Sequence, residues 1–135
     1  MTLKPTDVIK IFCDDLYGKS KVKILAVIAI STCKTKACCI LINSSNYPDI
    51  HNNYFLKSQQ LPVSSKKYPS VLTHDSFFDC SSIMERDIEE INAILHKEPK
   101  RLLGNIDSTD HLLITSALIN NRTLPQKKKK LYGLN

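Results

Sequence analysis

The order of apolar and polar positions divides the chain into a front part that reads as strands and a back part that reads as helices. Val8 to Phe12 is a short candidate strand, followed by a polar turn over Asp14 to Ser20. Lys23 to Ser31 is a near-continuous apolar run rich in β-branched residues, the pattern of a strand buried on both faces. Ser31 to Lys36 reads as a turn and Ala37 to Asn43 as another apolar run, so the two runs predict a hairpin. Ser44 to Ser70 is polar and holds Pro48, Pro62 and Pro69, which predicts a long excursion with one short strand near Tyr54 to Leu61. Val71 to Cys80 resumes as a strand. Leu72, His74, Ser76, Phe78 and Cys80 share one face, and neither face is purely apolar.

From residue 81 the period changes. Ser82 and Glu85 stand at capping-box spacing, and Ile88, Ile91, Ile94 and Leu95 recur at helical intervals up to Pro99. Gly104 predicts a turn and Asp107 the N-cap of a second helix. Leu113, Ala117 and Asn120 would share a face of that helix, with Leu112 and Ile114 beside them, and Pro125 would end it. Gln126 to Lys130 reads as a charged tail. Strands first and helices later give an α+β class, most simply a small barrel or curled sheet with two C-terminal helices packed on it.

Length and charge then narrow the picture. The 135 residues are enough for one domain, over residues 1–125, with a lysine-rich tail over 126–135. The hydrophobic share of 42% supports a core, and 24% charged residues argue against wholesale disorder. Lys plus Arg outnumber Asp plus Glu by 19 to 13, a balance of +6 that points to polyanions. Arg86, Arg101 and Arg122 are the arginines, so few side chains offer a bidentate fork to phosphate. Three glycines exclude a glycine-rich phosphate loop. Cys13, Cys33, Cys38, Cys39 and Cys80 form no CxxC pair and no zinc-ligand spacing. They read as reduced and mostly structural, which predicts a cytoplasmic protein without metal or other cofactor. The longest apolar run, Ile24 to Ile30, is far short of the roughly 20 residues of a membrane helix, so no membrane association is expected.

Thr73-His74-Asp75-Ser76-Phe77-Phe78-Asp79-Cys80 leads to a helix, and Leu103-Gly104-Asn105-Ile106-Asp107 opens the last one. Together with the earlier hairpin, whose second strand ends in Ser44-Ser45, this order resembles the PemK/MazF-like toxin family. The resemblance spans roughly residues 7 to 120 by order of elements, with a recognisable pattern near 73 to 80 and 103 to 117. It implies an SH3-like β-barrel with appended helices. It also implies a metal-independent endoribonuclease cutting single-stranded RNA, a homodimer, and an antitoxin partner. The segment Tyr17-Gly18-Lys19-Ser20-Lys21-Val22-Lys23 stands where the family carries Gly-Gly-x-Arg-Pro, and it has no arginine. Hence either lysine takes the phosphate role, or the chemistry has moved, or the chain binds RNA or a protein partner without cutting.

Cleavage through the 2′-hydroxyl needs a base, an acid and a group that stabilises the pentavalent phosphate. His74 is the acid–base candidate, because imidazole titrates near neutrality. Ser44 and Ser45 are candidate donors to a phosphate oxygen, with ordinary turn chemistry as the alternative. Lys19, Lys21 and Lys23 alternate, so an extended chain lines them on one face as a phosphate-facing row. Lys19 would be the catalytic cation, with Lys21 and Lys23 binding RNA. Ser76 shares the His74 face. Tyr47 and Tyr54 are of the type that stacks on unpaired bases, or that folds a loop onto a core.

Overall fold

The computed structural model describes the backbone of residues 2–16, 19–44 and 57–135, and the side chains of all of these but 15, 16, 19, 20 and 44. The fold is α+β. One curled antiparallel sheet contains β1 (Asp7–Leu16), β2 (Lys19–Ile30), β3 (Lys36–Ser44), β4 (Gln60–Val63), β5 (Ser76–Asp87) and β6 (Leu102–Asn105). Their spatial order is β4-β5-β3-β2-β1-β6. The helices are α1 (Ile88–Lys97), α2 (Ser108–Ile119) and α3 (Gln126–Leu131), and a 3-10 turn (Pro99–Arg101) links α1 to β6.

The expected hairpin is present. Ile24 faces Ile42 and Ile30 faces Ala37 across β2 and β3, and the Ser31 hydroxyl closes the turn by accepting from the Thr35 and Lys36 amides. β2 is buried on both faces because the sheet is covered on both. Leu25 and Val27 pack with Ile9, Ile11 and the α1 residues Ile88, Ile91 and Leu95. Ala26 and Ile28 pack with Val8, Ile40, Phe78 and the α2 residues Ile114 and Leu118. Cys38 and Cys39 belong to these opposite layers, as strand alternation requires.

Several boundaries move. β1 runs on to Leu16 and β2 starts at Lys19, so most of the expected polar turn is hairpin strand. The short strand of the middle excursion is Gln60–Val63. The strand expected from Val71 begins only at Ser76, and it continues through Ser82 and Glu85, which therefore do not form a capping box. Pairing decides this: Met84, Glu85, Arg86 and Asp87 lie opposite Cys39, Cys38, Ala37 and Lys36, a stretch of β3 whose edge away from β2 would otherwise lack a partner. Asp87 is the true N-cap, accepting from the Glu89 amide.

Between Asp79 and Met84 the register shifts, and side chains take up the backbone groups that the ladder releases. Asn121 Nδ2 donates to the Cys80 and Ser81 carbonyls at 2.9 and 3.2 Å. Asp79 Oδ1 accepts from the Ser81 amide at 3.0 Å, from its hydroxyl at 2.5 Å and from Gln60 Nε2 at 2.9 Å. Asn43 Nδ2 donates to the other Asp79 oxygen at 3.3 Å. All four side chains in this carboxylate cluster are buried. Asp79→Ala strips several buried donors of their acceptor, so a loss of about 3 kcal/mol is expected. Urea unfolding of the variant measures it, and an unchanged midpoint would show the cluster to be dispensable.

The expected turn at Gly104 lies within β6, which pairs with β1: Val8 faces Gly104 and Asp7 faces Asn105. Glycine is needed there, since φ is +155° and a Cβ would come within 3.2 Å of Val71. Asp107 caps α2 as expected, accepting from the Asp110 amide at 2.8 Å. The buried positions of α2 are Ile114 and Leu118, while Leu112 and Leu113 face outward. α2 ends at Ile119, and Pro125 instead precedes α3. Residues 126–135 are part of the domain. Tyr132 and Leu134 are buried in the α2-side core, Lys129 Nζ donates to the Ile119 carbonyl at 2.7 Å, and Lys128 pairs with Glu85 at 2.8 Å. Among the described residues, no helix is long and apolar enough to cross a membrane.

Candidate functional site

The loop between β4 and β5 is held at both of its ends. Lys67 reaches Asp107 and Asp110 at 2.9 Å each, and the Tyr68 hydroxyl donates to Asp110 at 2.6 Å, tying the loop to the start of α2. Asp75 accepts from the Ser65 amide and hydroxyl, which hold its carboxyl below the ordinary range. Val71 and Leu72 are buried between these anchors. The outcome is that His74 is presented at a defined place beside the open end of the sheet.

There it borders a cleft of about 190 Å³. Ile24, Ile42 and Leu72 supply apolar walls, and Thr73, His74, Ser76, Lys10 and Lys23 supply the polar ones. None of the lining side chains is a carboxylate. His74 Nδ1 lies 3.0 Å from the Thr73 hydroxyl, and Nε2 has no partner among the described residues. Asp75 is committed to Ser65 and does not orient the imidazole. Ser76 is buried, and its hydroxyl donates to the His74 carbonyl at 2.9 Å, so it fixes the loop rather than facing a ligand.

The structure thus unites His74, Ser76 and Lys23 of the residues singled out in the sequence. Ser44 enters by its backbone, which lies opposite Ser76 at the end of the β3–β5 ladder. Its side chain, that of Lys19, and the whole of Ser45, Tyr47 and Tyr54 lie outside the described residues. Lys21 and Lys23 do share a face of β2, opposite Cys13 and Ile11. By alternation that is the α1 side, with Leu25, whereas His74 sits beside Ile24. Lys10, the cross-strand partner of Ile24, borders the cleft from the sheet face that carries Ile24. Lys10 and Thr73 are additions that sequence reading missed. Lys10 carries no local signal, because only the β1–β2 pairing brings it to the cleft.

A larger cleft of about 350 Å³ lies between β1, β5 and α1, but Asp14, Glu85, Asp87 and Glu90 line it against Lys36 and Arg86. That balance disfavours a polyanion. Among the described residues, no three His, Cys, Asp or Glu side chains are placed to hold a metal ion.

The cysteines are all free. Burial pushes the thiols of Cys39 and Cys80 up to about 12. Cys33 is exposed in the β2–β3 turn, and hydrogen bonds from Ser31 and Thr35 lower its thiol to about 7. A depressed pKa leaves thiolate in excess above that value and thiol below it. Alkylation by iodoacetamide is therefore expected to label Cys33 first, with a rate that rises through about pH 7 and then levels off. Peptide mass spectrometry across pH 5–9 checks this, and a rate still climbing at pH 9 would contradict it.

Against known proteins, the chain matches no family model and no curated sequence.

Proposed function

We propose that this protein is a divergent PemK/MazF-like endoribonuclease that cuts single-stranded RNA without a metal ion, built on an SH3-like barrel. The observation that carries the reading is the cleft that joins an imidazole and an ammonium group with no carboxylate on its lining. The chemistry follows from those groups. With Nδ1–H turned to the Thr73 hydroxyl, His74 Nε2 offers a lone pair to the 2′-OH proton. The 2′-oxygen then bonds to phosphorus, the bond from phosphorus to the 5′-oxygen breaks, and the 5′-oxygen takes a proton from water. Lys10 offsets the charge gathered on the phosphate oxygens. The products are a 2′,3′-cyclic phosphate and a 5′-hydroxyl. A homodimer, an antitoxin partner and a cytoplasmic location, where single-stranded RNA is met, belong to the same proposal.

A second reading, RNA binding without cleavage, draws on the lack of arginine in residues 17–23 and on the single imidazole of the cleft. One experiment separates the two. Purified protein is incubated with mixed-sequence RNA in EDTA, and product ends and binding are measured together. Fragments ending in cyclic phosphate support the nuclease. Intact RNA bound with a salt-dependent affinity supports the binder. Neither cutting nor binding removes both.

A further inference from the structure

The face of the sheet that carries Lys10 does not end at the cleft. Along it, Val8, Ala26 and Ile28 are buried beneath α2 and its neighbours. One pair beyond Lys10 and Ile24, the cover stops: Phe12 is 59% exposed and its cross-strand partner Val22 47%. Val22 also lines the His74 cleft, while Phe12 itself borders the mixed-charge cleft between β1, β5 and α1. On the other side of Lys10 lies a second cleft, of about 440 Å³, bordered by Lys97, Lys100 and Arg101. Its one carboxylate, Glu98, is already taken by an ion pair with Arg101. Arg101 also donates to the Lys10 carbonyl at 3.1 Å, which joins this basic edge to β1. Lys10 is therefore shared by a basic edge and by the imidazole cleft, with an exposed aromatic ring two residues along the same strand.

An exposed ring with Lys10 and the basic edge of Lys97 and Lys100 on one side suits a ligand with a flat apolar face and repeating negative charge. Single-stranded nucleic acid has both, base faces for the ring and phosphates for the cations. An acidic protein segment would use the cations and leave the ring idle. We infer that Phe12 is a stacking platform for one unpaired base of single-stranded RNA, whose adjoining phosphates cross Lys10 toward Lys100. The inference rests on the RNA reading proposed above and names a subsite for it. A phenyl ring carries no hydrogen-bonding group, so this subsite accepts any base.

The chain has no tryptophan, so Phe12→Trp places a single reporter at the site. The ligand is a 2′-O-methyl oligonucleotide of mixed sequence, which cannot be cut through the 2′ position. Labelled-oligonucleotide anisotropy gives Kd, and tryptophan emission reports stacking. Expected are saturable quenching by the oligonucleotide, none by inorganic polyphosphate, and a Kd weakened about 10-fold or more by Phe12→Ala. Lys10→Ala is expected to lower the salt slope by about 1. Because both side chains are on the surface, the variants should melt like the parent. If the parent binds the oligonucleotide but Phe12→Ala binds equally well and Phe12→Trp is not quenched, the stacking platform is refuted and the RNA reading stands. If polyglutamate binds as tightly as the oligonucleotide and leaves emission unchanged, the surface serves an acidic protein instead. If the parent does not bind the oligonucleotide at all, the RNA reading falls and the platform with it.

Discussion

A chain ending at Pro125 is expected to lose its cooperative fold. A helix of six residues has no stability of its own, so α3 owes its order to what it docks on. The removed segment buries Tyr132 at 4% exposure and Leu134 at 2%, in the same core layer as Ile114, Leu118 and Phe78. Each such side chain contributes about 1.5–3 kcal/mol by burial. Polar contacts go as well. The Tyr132 hydroxyl donates to Glu85 at 2.7 Å, and the Thr32 amide to the Leu131 carbonyl at 3.1 Å. Burial alone would raise the Glu85 pKa, but the bonds from Lys128 and Tyr132 outweigh it and hold the carboxyl below its usual range. Truncation leaves that half-buried carboxylate without either partner. The combined loss, about 5 kcal/mol or more, approaches the whole stability of an ordinary domain. Circular dichroism with urea unfolding measures it, with Lys127→Ala as the control, since that lysine is exposed. A truncated chain that unfolds at the parent's midpoint would mean that the segment is an accessory.

The other large effect concerns chemistry. On the proposed reading, His74→Ala lowers the rate of RNA cleavage by about 10²–10⁴-fold, the range for removing a positioned proton-transfer group. Stability should hardly change, because the imidazole is exposed and its one side-chain bond is to Thr73. Added imidazole should restore part of the rate, which a merely structural loss would not allow. Ser76→Ala is expected to cost less, since Ser76 acts through the loop by holding the His74 carbonyl. Cleavage by His74→Ala at the parent's rate would remove His74 from the mechanism.

Much of the frame was legible in the sequence because it is set by local rules. The unbroken apolar run after Lys23 demanded burial on both faces, and β2 has it. Ile88, Ile91 and Leu95 kept helical spacing and form the buried stripe of α1. Asp107 could be recognised as a cap because its partner amide is three residues away. Where a local signal met a long-range demand, the latter prevailed. Ser82 and Glu85 had the spacing of a helix start, yet the edge of β3 away from β2 needed a partner from Lys36 to Cys39, and the strand ran on to Asp87. The same holds for the site. His74 and Ser76 stood out in one short segment, whereas Lys10 joins them from a strand more than sixty residues earlier, by pairing alone.

By itself the sequence determined the α+β class, the central hairpin, the α1 stripe and the α2 cap. Each is written in periodicity or in spacings of a few residues, where backbone geometry leaves little choice. Only the tertiary structure decided that the lysine run is a docked helix, that Asp79 and Asn121 secure the shifted register of β5, and that Lys10 joins Lys23 on the lining of the His74 cleft. The physical reason is common to all three. Whether a polar side chain is solvated, buried against a backbone group or turned into a cleft depends on which distant strand or helix end lies opposite it. That is settled by burying both faces of one sheet together and leaving as few backbone groups as possible without a partner.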